Sequence, residues 1–199
     1  GDFKTITQIA EEKKSELAPL LENNVQLTLI IAQAYLNTDQ TDKADQHFLS
    51  LSKAFPHNEQ VAYHAVIALL KKGALDQALV ETKKHLENVQ LRSKHFLFHF
   101  LQAQIFLQKN NKSEALLAVN KSLELFPKFD RGWLFKGMLL EQKRENKEAI
   151  TCYQKVLALV GREELVEKQL VHLLFSEQRY AEAAHYLERI NGTCAEYFF

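Results

Sequence analysis

Five alanines recur along this chain at a nearly fixed interval: Ala44, Ala78, Ala115, Ala149 and Ala183, separated by 34, 37, 34 and 34 residues. Four residues beyond them stand Phe48, Thr82, Val119, Tyr153 and Leu187, large side chains in four of the five cases. Twelve residues beyond Ala44 and Ala115 come Pro56 and Pro127, each preceded by Phe. A period in this range describes a chain of similar small units. None can bury its apolar face alone, so each is stable only when stacked on its neighbours.

The spacing inside each period is helical. Apolar residues fall at i, i+3, i+4 and i+7 in Val25–Leu36, Val61–Leu70, Phe96–Leu107 and Ala115–Phe126, with Glu, Lys, Gln, Leu and Ala between them. Short polar clusters at 37–42, 71–73, 109–112, 143–146 and 178–179 interrupt these stretches and suit tight connections between antiparallel helices. Six glycines and three prolines in 199 residues leave too few turn residues for a sandwich or barrel. The pattern predicts about eleven helices and no sheet.

A two-helix unit of this length resembles the tetratricopeptide repeat. The family pattern has Trp at position 4, Leu at 7, Gly or Ala at 8, Tyr at 11, Ala at 20, Phe or Tyr at 24 and Pro at 32. In that frame the repeats run 25–58, 59–92, 96–129, 130–163 and 164–197, after a leading helix over 1–24. The fourth repeat carries Trp133, Gly137, Ala149 and Tyr153; the first carries Ala32, Tyr35, Ala44, Phe48 and Pro56. The third has Ala103, Phe106, Ala115 and Pro127, with His99 in the Trp place. The second and fifth depart from the pattern at position 8, where Val66 and Val171 stand. The resemblance implies an all-α, right-handed α-solenoid of antiparallel helix pairs, in which the small residues at 8 and 20 let two helices approach.

Three irregularities carry expectations of their own. Between the second and third repeats lie three extra residues, Ser93, Lys94 and His95, and Gln90 replaces the proline; a longer loop is expected there. The segment 1–21 reads as one amphipathic helix interrupted at Pro19, like the second helix of a preceding repeat. The end, through Tyr197, Phe198 and Phe199, reads as the start of a further helix, so the chain is expected to be part of a longer array. The alternative is that these aromatics fold back as an anchor. The first residue is Gly1, so the native N-terminus is expected to be absent, and the compartment, cytoplasm or bacterial periplasm, is left open.

Composition excludes several functions. Lys+Arg and Asp+Glu both number 25, a balance that argues against a nucleic-acid binder. No apolar run reaches the roughly 18 residues of a membrane span. Cys152 and Cys194 are too few for a disulfide scaffold or zinc finger. His95 and His99 share a helical face, but no acidic residue or cysteine stands one turn further on, where Gln102 and Ala103 lie. No nucleophile, phosphate-loop or zinc-protease motif occurs, so no catalytic residue, metal or cofactor is expected. Cys152 reads as a small buried hydrophobe.

The segment Phe96–Leu107 is apolar all round, so it is either buried on every side or offered to a partner. The resemblance implies that the first helix of each repeat lines a concave groove through positions 2, 5, 9, 12 and 13. Carried over, the groove residues are Leu29, Gln33, Tyr63, Ile67, Phe100, Gln104, Leu134, Met138, His172 and Phe175. They suit a peptide or protein segment with apolar anchors. A carboxylate-holding clamp is not expected, because Leu29, Gln33, Leu97 and Leu101 replace its Lys, Asn and basic residues, leaving Arg131. The function expected is a non-catalytic scaffold or adaptor. The alternatives are the docking or regulatory arm of a larger enzyme or secretion machine, and self-association through Tyr197–Phe199 or the Phe96 helix.

Overall fold

The computed structural model describes residues 2–87 and 95–195, and within them the chain is all helix, with twelve helices and no strand. Two lead: α1 (Phe3–Glu12) and α2 (Lys14–Asn23). Five successive pairs follow. They are α3 (Val25–Asn37) with α4 (Thr41–Ala54), α5 (Glu59–Lys71) with α6 (Leu75–Glu87), α7 (His95–Gln108) with α8 (Lys112–Leu125), α9 (Asp130–Gln142) with α10 (Asn146–Val160), and α11 (Glu164–Ser176) with α12 (Tyr180–Ala195). The second helix of each pair begins at 41, 75, 112, 146 and 180, steps of 34, 37, 34 and 34. The connection around Gln90, Ser93 and Lys94 and the terminal Tyr197, Phe198 and Phe199 lie outside the described residues. Two compact units are present, Gly1–Leu101 and Gln102–Phe199, and the boundary falls within α7.

The same turn joins the two helices of every pair. Asp39, Gly73, Asn110, Arg144 and Gln178 all sit in the left-handed region, at φ of 57°, 71°, 58°, 63° and 59°. The N–H of the following residue reaches back to the carbonyl five positions earlier: Gln40 to Tyr35, Ala74 to Leu69, Asn111 to Phe106, Glu145 to Leu140 and Arg179 to Leu174, at 2.8–2.9 Å. The left-handed residue itself donates to the carbonyl three back, as in Gly73 to Leu70 at 3.0 Å and Arg144 to Glu141 at 2.8 Å. This is the Schellman arrangement, which satisfies the last carbonyls of the first helix while reversing the chain. Several helices also begin on a side-chain cap: Asn24, Asn58 and Asn111 accept from the N–H groups of Leu27, Val61 and Glu114 at 3.0–3.2 Å. α4 and α8 end just before Pro56 and Pro127, which cannot continue a helix.

The five periodic alanines are all fully buried, at 0% exposure. Position 24 is buried in four repeats, by Phe48, Thr82, Val119 and Tyr153, and half-buried in the fifth at Leu187. In the second unit Gly137 on α9 lets Tyr153 on α10 approach closely. A Cβ on Gly137 would lie 2.8 Å from Tyr153 Cε1, too close for two carbons. Around this contact Leu140, Ile150, Val156, Leu170, Leu173 and Leu174 form the core of the unit. One charged group is buried with them. Glu167, fully buried, holds a carboxylate oxygen 2.7 Å from Arg189 Nη2 on α12, with Arg162 Nε 3.9 Å from the other. Arg189 also donates to the carbonyl of Gly161, and Arg162 to that of Arg189, so the α10–α11 connection is tied to α12.

The first unit is built on Ile31, Ala32, Tyr35, Ala44, Phe48, Leu51 and Val61, with Ile6, Ala10 and Leu21 of the leading helices packed against them. The leader breaks at Lys13 rather than at Pro19, which lies inside α2. Pro19 removes one N–H from α2, and the helix continues through it. Glu11 joins leader to pair: its carboxylate accepts from Tyr35 Oη at 2.8 Å and from Lys43 Nζ at 2.6 Å. Burial, then the Glu11 carboxylate, pushes the Tyr35 hydroxyl up to about 12, so it remains a neutral donor. Asp45, buried on α4, is met by Lys71 at 3.2 Å.

Three histidines of this unit stack on aromatic rings: His47 on Tyr35 at 5.3 Å, His64 on Phe48 at 4.3 Å and His85 on Phe98 at 5.1 Å between centroids. Burial holds all three below the ordinary imidazole value. The nearby charges, Lys14 and Glu11, Asp45 and Lys71, and Glu81 and Lys84 respectively, act as smaller opposing pairs.

Two outcomes are expected. Gln178→Gly relieves a left-handed side chain and should raise stability by about 0.5 kcal/mol, whereas Gly73→Ala should cost about 1 kcal/mol. Gly73 has open space around it, so its cost is conformational alone. Urea unfolding of the two variants checks the opposite signs. The second outcome concerns pH. Because folded His47, His64 and His85 bind protons more weakly than the unfolded chain, the stability they carry is complete above about pH 6.5. It is lost as pH falls from there through their folded values. Urea midpoints at pH 7.5 and pH 5.5 should show the loss, and His64→Phe should reduce it.

Candidate functional site

In the second unit the first helices of two neighbouring pairs, α9 and α11, leave a cleft of about 560 Å³ floored by α10. Its floor is Tyr153 and Val156 of α10 with Val166 at the start of α11, all buried. Its walls are Leu134 and Met138 from α9, Leu165 from α11 and Val160 from the end of α10. Three of these are unusually open for their type: Met138 is 47% exposed, Val160 44% and Leu165 74%. Four consecutive groove positions on one helix explain the geometry. Arg131, Leu134, Met138 and Glu141 follow a spacing of three and four, which puts them in one stripe along α9.

The far end of the cleft is polar and fixed. Glu141 accepts a hydrogen bond from Tyr153 Oη at 2.9 Å and another from Gln169 Nε2 of α11, so one carboxylate ties α9, α10 and α11 together. Burial, reinforced by the Glu141 carboxylate, raises the Tyr153 hydroxyl well above its ordinary value. It stays protonated and serves as a donor, not an acid–base group. Cys152, beside it on α10, is buried, and desolvation raises its thiol as well. No cluster of three or more His, Cys, Asp or Glu that could hold a metal occurs among the described residues. No helix of the described residues is long and apolar enough to cross a membrane. The cleft sets an apolar floor beside charged groups.

The residues expected to face a partner are distributed as follows. Leu134 and Met138 line the cleft. His172 and Phe175 are exposed on α11 but outside it, and Phe175 packs edge-on to Tyr180 at 5.5 Å. Gln104 is half-buried. In the first unit, Gln33, Tyr63 and Ile67 are half-buried, whereas Leu29 and Phe100 are buried at 9% and 8% exposure. Leu29 belongs to the core that takes in Ala10 of the leader, so it packs rather than presents. Every residue from His95 to Leu107 is buried or half-buried. A cleft of about 600 Å³ in the first unit, between α4, α5 and α6, contains none of the expected residues.

Leu165 and Gln169 line the cleft but are not among the expected residues. Leu165 occupies position 2 of its repeat, as Arg131 does, so its place in the frame carried the signal. Gln169, Val156 and Val160 lie off the groove positions and had none.

Residues 100–162 match the family model of the tetratricopeptide repeat. No curated protein matches the sequence. Among solved structures, the chain is similar to MamA 41-end from Desulfovibrio magneticus RS-1, with 18% identity over 87% of this chain and 97% of that one, at a TM-score of 0.68. It is similar to pilF of Pseudomonas aeruginosa, with 16% identity over 98% of this chain and 95% of that one, at a TM-score of 0.71. A third likeness is to the APC/C hetero-tetramer Cut9-Hcn1, with 17% identity over 95% of this chain but 36% of the other, at a TM-score of 0.71. At these identities the likeness shows the fold alone, an all-α solenoid of antiparallel helix pairs.

Proposed function

We propose, from the premise of a tetratricopeptide repeat fold, that this chain is a non-catalytic interaction module whose α9–α10–α11 cleft holds a segment of a partner protein. Repeats of this type generally serve as protein-binding scaffolds, and the observation that carries the reading here is the open apolar cleft. Met138 and Leu165 stand exposed on either side of a buried aromatic and aliphatic floor. Covering a Met or Leu side chain is worth about 1.5–3 kcal/mol when complete. The two together supply a few kcal/mol before the cost of ordering the partner, which fits a transient complex better than a permanent one. The cleft lies between two helix pairs, so a further pair stacked on α12 would leave it open.

Leu134, Met138, His172 and Phe175 form the partner-facing set proposed for this unit, with Arg131, Glu141, Leu165 and Gln169 added. Gln33, Tyr63, Ile67 and Gln104 remain proposed contact residues within their own units.

A photo-crosslinking residue at Met138 tests the assignment against one at Lys155, an exposed position on α10 outside the cleft. In cells of the source organism, the Met138 position should give a discrete crosslinked partner that disappears with Leu165→Ser. Equal crosslinking from both positions, or a product unaffected by Leu165→Ser, would show that the cleft is not the binding surface.

A further inference from the structure

We infer that the cleft selects a cationic segment, one in which large apolar side chains are flanked by Lys or Arg; this rests on the binding role proposed for the same cleft. The lining carries three carboxylates, Asp130, Glu141 and Glu163, against one guanidinium, Arg131. Asp130 and Glu163 make no side-chain hydrogen bond or ion pair among the described residues. The next residue shows the contrast: Glu164 is neutralised by Lys168 at 2.5 Å and does not line the cleft. Glu163 immediately precedes α11 yet caps none of its N–H groups with its side chain, so its carboxylate is available to a ligand.

The helix ends themselves must be counted. The N-termini of α9 and α11 each bring about half a positive charge, and the C-terminal ends of α9 and α10, at Gln142 and Val160, each bring about half a negative one. These four ends cancel, so three carboxylates against Arg131 leave the cleft negative by about two units. Asp130 and Glu141 are half-buried beside an apolar floor, where less water screens their charge, whereas Glu163 is exposed at the cleft's edge.

The placement of the carboxylates also sets a length. Asp130 and Glu141 stand at opposite ends of α9, eleven residues or about 16 Å apart along the helix. An extended segment covers that distance in about five residues. Lys or Arg at both ends of such a stretch would meet carboxylates, while the residues between them would lie on Leu134, Met138 and Leu165. An acidic segment of the same apolar content would meet the same floor with like charges at each end. Selection then comes from repulsion of the wrong partner as much as attraction of the right one.

Fluorescence polarisation with two labelled peptides tests this. The probes are Lys-Lys-Leu-Ser-Phe-Leu-Lys-Lys and the same sequence with every Lys replaced by Glu, titrated against the full chain. The Lys peptide should bind about tenfold more tightly at low salt, and about 1 M salt should reduce the preference to about twofold. The double variant Asp130→Asn, Glu163→Gln should lower the preference at low salt at least threefold, with an unchanged helical circular dichroism spectrum confirming that it is folded. Equal binding of the two peptides, with both lost in Leu165→Ser, would overturn charge selection while leaving the binding role intact. A preference unchanged in the double variant would likewise overturn the assignment of the selecting charges. No binding of either peptide at concentrations of about 1 mM would overturn both.

Discussion

The approach of Gly137 to the ring of Tyr153 brings α9 and α10 together, and the cleft depends on it. The missing Cβ lets the ring lie where a side chain would otherwise stand, with 2.8 Å to Cε1. Seated there, Tyr153 does three things. Its ring fills the space between α9 and α11, its edge floors the cleft, and its hydroxyl reaches Glu141, which in turn accepts from Gln169. A larger residue at 137 would displace the ring and with it the floor and the polar end. Core packing and cleft are here one arrangement of the same side chain.

The repeated turn is the second constraint. A Schellman turn in all five pairs gives each the same reversal, so the second helix starts at the same place in every period. Only one of the five left-handed positions is glycine, at Gly73; the others are Asp39, Asn110, Arg144 and Gln178. The turn is therefore imposed by packing on both sides, against the local preference of Arg144 and Gln178. That explains why it could not be seen in the sequence: polar clusters marked loops but not their common geometry.

What the residues did reveal was whatever the fold demands irrespective of neighbours. A small side chain is required wherever two helices touch, so Ala44, Ala78, Ala115, Ala149 and Ala183 announced the period, and each is fully buried. Pro56 and Pro127 announced helix ends for the equally local reason that proline cannot continue a helix. The leader was less legible. Pro19 suggested a break that occurs instead at Lys13, because a proline within the helix costs one hydrogen bond that packing of the leader against α3 can offset. The candidate cleft was legible only in part. The repeat frame put Leu134 and Met138 on one face of α9, where they line the cleft, but it also put Leu29 at a surface, and Leu29 lies in the core cluster that includes Ala10 of the leader. Burial by a distant segment leaves no mark on local spacing.

A double-mutant cycle on the central contact measures the account most directly. Gly137→Ala should improve helix propensity by about 1 kcal/mol, yet in the intact chain it should lower stability by about 2 kcal/mol, because the ring of Tyr153 must move. In a Tyr153→Leu background the same substitution should be neutral or stabilising, giving a coupling of at least 1 kcal/mol by urea unfolding. Additive effects, with Gly137→Ala equally harmful whether or not the ring is present, would contradict the claim that this close approach organises the unit.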